Sequence, residues 1–424
     1  MCDKTGSNFQ SGQDAVPRRG LRCQICTGCG LCPGVIPNGS GAGGLHVLTE
    51  DALFGEQIPL EADCFLAVAD IGTTTVAMLL YGRDGSVIDR HVAVNPQVAY
   101  GADVLSRIRA AEDKKAAEKM KDQVRQVLKQ GIQRFRERLG PEKEMYLVLA
   151  ANTVMTYLFM GWDPSELGRA PFKASHLSGA ETKLSGVPCF VFPGLSAFVG
   201  GDIAAGIYAC GMCEKDGLTL LLDLGTNGEI VLGNRGRRIA CSTAAGPAFE
   251  GGANRGVWGA DMISLLAHLR REGILDETGL LADEYFERGI RIGNVTVTQE
   301  AVRNVQLAKG AIAAGIEILL EKYGAEPKDV ERVVLAGGFG YYLKPELAAQ
   351  IGLLPGELAG RTLTGGNTAL SGALLAGRRI LADDAVAALD GLLSESVLRT
   401  ETINLAEEPK FAKRYVELMN LEKS

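Results

Sequence analysis

Asp70-Ile71-Gly72-Thr73-Thr74-Thr75, set between the apolar runs Phe65 to Ala69 and Val76 to Tyr81, decides the fold because it comes back. From Leu218 the chain repeats the pattern: Leu218 to Leu222, then Asp223-Leu224-Gly225-Thr226-Asn227-Gly228, then Glu229 to Leu232 and a Gly233-Asn234 turn. Each copy reads as strand, tight turn and strand, apolar runs being bounded by Gly, Asp and Asn. One such hairpin is weak evidence, since Asp and Gly are common turn formers. Two in matched context form an internal repeat, which predicts two related subdomains facing each other.

A third signature follows at Val333-Val334-Leu335-Ala336-Gly337-Gly338-Phe339-Gly340, where a β-rich run ends in glycines. Gln299 to Tyr323 has apolar residues at helical spacing and is expected to lead into that strand. Asp103 to Leu139 also reads as helical, its many charges forming a solvated face. Ala369 to Leu381 reads as a buried helix and Ile403 to Leu421 as a closing tail. The class is α/β. At 424 residues the chain exceeds one ordinary core. The expected division is a flexible tail at 1–20, a cysteine module with its linker at 21–60, a first domain at 61–210 and a second at 211–424.

A turn of Gly-Thr-Thr or Gly-Thr-Asn-Gly presents backbone N–H groups and hydroxyls to an oxyanion, and glycine lets the backbone approach closely. The expected phosphate contacts are therefore Gly72, Thr73, Thr74 and Thr75 with Gly225, Thr226, Asn227 and Gly228. Asp70 and Asp223, each at the end of its strand, are placed to hold Mg²⁺ through water or to orient an attacking water. Gly337, Gly338 and Phe339 would let a flat adenosine lie against backbone.

The net charge of −7 argues against nucleic acid as a partner, because phosphate backbones are held by clustered Lys and Arg. No apolar run reaches the roughly 20 residues that span a membrane. Met1 to Gly20 lacks the apolar stretch of a secretory signal, so a cytoplasmic protein without membrane contact is expected. There, ten cysteines are thiols or metal ligands rather than disulfides. Cys23, Cys26, Cys29 and Cys32 fall in C-x2-C-x2-C-x2-C spacing before Pro33, with Gly39, Gly41, Gly43 and Gly44 forming a flexible connection. The spacing resembles a ferredoxin [4Fe–4S] loop. A zinc knuckle is the plainer reading, but it normally separates two cysteine pairs by a loop. Cys32 is taken as the fourth ligand, with Cys64 the alternative. Cys210 and Cys213 read either as a redox or cluster-bridging pair or as small buried apolar residues.

The two Asp-Gly-Thr hairpins and the glycine-rich strand end, in this order, resemble the phosphate-1, phosphate-2 and adenosine motifs of the ASKHA superfamily. That resemblance implies two ribonuclease-H-like domains of the actin, Hsp70 and sugar-kinase type closing over ATP. Residues 198–206 and 365–375 resemble its two connecting helices, which brings Asp202 near the phosphates. Asn95-Pro96-Gln97 with Gly101 to Ile108, Asn152-Thr153 through Pro164, Cys241 to Gly251 and Val305 to Lys309 resemble the reductive activators of corrinoid-dependent enzymes.

The implied function is ATP-dependent transfer of a low-potential electron to a corrinoid protein, cob(II)alamin becoming cob(I)alamin. ATP, Mg²⁺ and a [4Fe–4S] cluster would be the cofactors. A ferredoxin-like or other protein would be the electron donor, and a homodimer is compatible with this reading. An activator of another metalloenzyme, such as a radical dehydratase, would use the same machinery. The cysteine module departs from the C-x4-C-x2-C spacing of plant-type [2Fe–2S] domains that many such activators carry. A small-molecule kinase needs no cysteine cluster.

Overall fold

The computed structural model describes residues 64–225, 227–243, 259–293, 295–383 and 399–421. The tail 1–20, the module 21–60 with Cys23, Cys26, Cys29 and Cys32, and Thr226 lie outside the described residues.

The first half of the chain runs β1 (Phe65–Ile71), β2 (Thr75–Tyr81), β3 (Val87–Val94), α1 (Val104–Ala110), α2 (Lys114–Leu139), β4 (Met145–Ala151), α3 (Thr153–Met160), β5 (Ala180–Leu184), β6 (Val187–Val191) and α4 (Gly201–Ala209). The second half begins with β7 (Thr219–Leu224), β8 (Gly228–Gly233), β9 (Arg238–Thr243), α5 (Gly259–Arg271), α6 (Asp283–Phe286), β10 (Ile290–Ile292), β11 (Val295–Val297) and α7 (Gln299–Tyr323). It ends with β12 (Arg332–Ala336), α8 (Gly337–Gly340), α9 (Pro345–Gln350), β13 (Thr362–Gly366), α10 (Thr368–Asp383), β14 (Thr400–Ile403) and α11 (Phe411–Glu417).

The duplication read from the sequence appears as two sheets, ordered β3-β2-β1-β4-β6-β5 and β13-β12-β7-β8-β9-β14. In the first, β1, β2 and β3 are antiparallel and β4 and β6 continue parallel to β1. In the second, β7, β8 and β9 are antiparallel and β12 and β13 continue parallel to β7. The same five-strand succession therefore occurs twice. The sheets differ at their edges, where β5 extends the first antiparallel to β6 and β14 extends the second parallel to β9.

Two details depart from the sequence reading. The stretch expected as one helix over 103–139 breaks at 111–113, where the Asp113 side chain accepts from the Lys115 N–H and starts α2 afresh. The C-terminal segment is structural: β14 enters the second sheet, and α11 is held on α7 by both Arg414–Glu317 hydrogen bonds at 2.7 Å.

Each sheet is covered on both faces, so its strands are nearly continuous apolar runs. Ala67, Ala69 and Ile71 of β1 pack outward on Met120, Val124, Leu128 and Phe135 of α2. Leu220, Leu222 and Leu224 of β7 pack outward on α5 and α7. The alternate residues, Leu66 and Val68 with Leu221, Val231 and Val334, meet Ile203 and Ile207 of α4 and Leu370 and Ala373 of α10. These two helices thus form the layer between the sheets. Their crossing is made by small residues. A Cβ on Gly372 would stand 2.0 Å from the Ala205 carbonyl oxygen, and one on Gly206 would stand 3.1 Å from the Thr368 hydroxyl.

Gly372→Val is expected to cost about 1–3 kcal/mol by forcing α4 and α10 apart. Gly338→Ala, whose Cβ would meet nothing within 4 Å, should leave the thermal midpoint unchanged. Melting both variants by circular dichroism checks this; equal midpoints would show that the crossing is not tightly packed.

Candidate functional site

The site lies where β1 and β7 end and α4 and α10 begin. The first turn is closed by the Gly72 N–H donating to the Thr75 carbonyl at 2.9 Å, the second by the Gly225 N–H donating to the Asn227 carbonyl at 2.9 Å. Side chains from neighbouring elements fix the first turn. Asn95 Nδ2 donates to the Gly72 carbonyl at 2.9 Å, and Asn152 Nδ2 donates to the Thr73 hydroxyl at 3.2 Å. Thr73 is buried while Thr74 is exposed.

Asp70 and Asp223 reach the cleft from the two sheets, and Asp202 reaches it from the first turn of α4. The start of α10 bonds both hairpin acids. Asn367 Nδ2 donates to Asp70 Oδ2 at 2.9 Å, and the Thr368 hydroxyl donates to Asp223 Oδ2 at 3.5 Å. Both connecting helices therefore direct their N-termini, with their positive dipole ends, at the site. The sequence reading passed over a fourth acid. Glu229 stands opposite Asp223 in the β7–β8 register and accepts from the Ser242 hydroxyl at 3.2 Å. The signal was available: a hairpin closing at 225–227 makes 223 and 229 direct cross-strand partners. The Asn367 and Asn95 contacts join residues far apart in the chain and left no local signature.

Burial raises all four carboxyls, and repulsion from neighbouring acids adds to it in Asp202, Asp223 and Glu229. Asp70 is pushed up to about 6 by burial, partly offset by the Asn367 hydrogen bond. Asp223 reaches about 7 by burial and the nearby Asp70, and Asp202 about 8 by burial, Asp223 and Asp70. Glu229 rises well above the usual carboxylate range by burial, Asp202 and Asp223. Each keeps partial solvent exposure at the cleft floor. Among the described residues no three His, Cys, Asp or Glu side chains approach closely enough to chelate an ion directly. Mg²⁺ keeps several waters and takes one or two carboxylates, a number that Asp70 and Asp223 can supply.

The glycine-rich strand end forms α8 rather than an open turn. Gly337 has φ +77°, and a Cβ there would meet Asp223 Oδ1 at 2.5 Å and the Leu224 carbonyl at 2.6 Å, so only glycine fits. Gly338 faces open space, and Gly225 meets only the Asn227 carbonyl at 4.0 Å. Between these two glycines the backbone can be approached as a phosphate or nucleoside requires, and the residues present fit Mg²⁺ with a nucleotide. The Phe339 ring is buried in the outer core of the second sheet, so this residue offers backbone alone. Cys210 is buried at the end of α4, its thiol pushed up to about 12 by burial, so it behaves as a small apolar residue rather than a thiolate ligand.

The folded protein retains carboxyl protons that the unfolded chain releases above about pH 4. Without a cation its stability should therefore fall as pH rises from about 4 to about 8. Asp202→Asn should raise the thermal midpoint more at pH 8 than at pH 5. A rise independent of pH would refute the proton linkage.

Comparison with known proteins agrees with this geometry. Residues 66–215 match the family model described as the RACo middle region, and residues 217–255 and 252–424 match that of the C-terminal domain of RACo, the ASKHA domain. The chain is 31% identical over 444 residues to the corrinoid activation enzyme RamQ of Eubacterium limosum, covering 88% of this chain and 73% of that protein. It is 25% identical over 252 residues to a [Co(II) methylated amine-specific corrinoid protein] reductase of Methanosarcina barkeri, covering 47% of this chain and 46% of the relative. A solved structure named reductive activator for corrinoid,iron-sulfur protein superposes with a TM-score of 0.73 at 28% identity, over 85% of this chain and 66% of that one. The duplicated sheets, the shared acid floor and these matches place the chain in the RACo family of corrinoid activators, with an ASKHA C-terminal domain.

Proposed function

We propose that this protein is an ATP-dependent reductive activator that passes a low-potential electron to a corrinoid protein, returning cob(II)alamin to cob(I)alamin. The observation that carries the reading is the meeting of Asp70 and Asp223, from two duplicated hairpins, at the N-termini of α4 and α10 in a chain of this family. Mg²⁺ would be held through water by Asp70 and Asp223 and would neutralise phosphate charge. Asp202 and Glu229, kept protonated by burial and by the neighbouring acids, can donate hydrogen bonds to phosphate oxygens. The glycine backbones at 225 and 338 supply the approach for phosphate and adenosine.

A ligand that touches both hairpins binds one separation of the two sheets better than others, so nucleotide occupancy biases the clamp. A partner that prefers one separation is thereby captured and released with each turnover. A [4Fe–4S] cluster at Cys23, Cys26, Cys29 and Cys32 would supply one-electron transfer, refilled by a ferredoxin-like donor in the cytoplasm. The alternative client, a radical dehydratase, is weakened by the buried Cys210, because a cluster shared between subunits needs accessible thiolates.

Incubating the anaerobic, cluster-loaded protein with reductant and a cob(II)alamin protein should give the cob(I)alamin absorbance faster with Mg·ATP than without. Asp223→Asn should slow ATP hydrolysis on the order of a hundredfold without lowering the thermal midpoint. Cobalt reduction that is absent, or indifferent to ATP, would sink the assignment.

A further inference from the structure

Arg107 in α1 is 0% exposed, and its four hydrogen bonds all end on uncharged acceptors. Nη2 donates to the Thr73 carbonyl at 2.6 Å and Nε to the Gly101 carbonyl at 3.0 Å. Nη1 donates to Gln97 Oε1 at 3.5 Å and to Met155 Sδ at 3.4 Å. No carboxylate among the described residues forms an ion pair with it. Asp103 is near enough to be felt, but its oxygens cap α1, accepting from the Ser106 N–H at 2.9 Å and the Ser106 hydroxyl at 2.7 Å. Burial pulls the guanidinium down only to about 10, so it stays charged at neutral pH.

A buried cation without a counter-ion is costly, and neutral acceptors compensate it only in part. Its location explains the cost. Thr73 lies in the first phosphate turn, and Arg107 bonds that residue's carbonyl from behind while Asn95 bonds the Gly72 carbonyl. With both carbonyls drawn back into the domain, the exposed Thr74 is left at the tip of the turn to offer its N–H and hydroxyl. The positive charge stands one peptide group behind the surface on which phosphate would seat.

We infer that Arg107 is the positioning residue of the first phosphate turn and carries the buried positive charge that a nucleotide's polyphosphate chain balances on binding. The inference rests on the nucleotide-binding reading and deepens it, because it makes affinity depend on ligand charge through a residue that touches no ligand.

Titration calorimetry with Mg·ATP, Mg·ADP and adenosine on the wild type, Arg107→Gln and Arg107→Lys tests it. Glutamine keeps a donor for the Thr73 carbonyl and removes the charge. ATP affinity is expected to fall roughly tenfold to a hundredfold, ADP affinity by less, and adenosine affinity by under about twofold. Lysine should restore the preference for ATP over adenosine. Equal losses for all three ligands in Arg107→Gln, or none, would overturn the inference, as would a lysine variant without that preference. Should the glutamine variant not fold, the lysine variant decides alone by the ATP-to-adenosine ratio. A wild type that binds none of the three ligands would remove the nucleotide reading itself, a result distinct from binding that ignores Arg107.

Discussion

Four carboxyl groups share one cleft floor, and each is brought there by a different element: Asp70 by β1, Asp202 by α4, Asp223 by β7 and Glu229 by β8. Like charges in a half-buried site cannot all ionise, so the group holds protons well above the usual carboxylate range. The fold tolerates the crowding because the acids sit on strands and helices anchored in three apolar layers. The repulsion is offset locally by hydrogen bonds from Asn367, Thr368 and Ser242. A bound cation would relieve it further, as the two helix N-termini do.

The same layers make the site adjustable. Asp70 and Asp223 belong to separate sheets, and among the described residues α4 and α10 form the layer between them, crossing on Gly206, Gly372 and alanines. Small residues allow close backbone packing and leave few long side chains to lock one relative angle. Asn367 and Thr368, at the start of α10, touch both hairpin acids. A ligand that moved either acid would therefore act directly on the helix that joins the halves. Coupling of nucleotide state to a partner surface needs such a bistable joint.

Another stretch of polar residues in the chain turns out to be architectural. The stretch Val305 to Lys309, which resembles part of the activator pattern, lies on α7 and holds the C-terminal segment. Buried Gln306 donates to the Thr278 and Met419 carbonyls, and buried Lys309 donates to the Gly352 and Asn420 carbonyls. With Leu421 buried and β14 in the sheet, the end of the chain closes the second domain.

The local pattern in the sequence determined the hairpins, their duplication, the long helices and the glycine-rich strand end, because period, turn chemistry and apolar runs are encoded by neighbouring residues. Asp70, Asp223 and the turn glycines were legible for the same reason. Asp202 came only through resemblance, and Glu229 required the hairpin register. Tertiary structure alone decided the rest. It set Asn95, Arg107 and Asn152 against the first hairpin turn, turned the Phe339 ring into the core, buried Cys210, and drew residues 400–403 into the second sheet. The physical reason is that these outcomes depend on which distant surfaces meet. A backbone carbonyl that must be held back, or a charge that must be balanced, leaves no periodicity in the chain that supplies its partner.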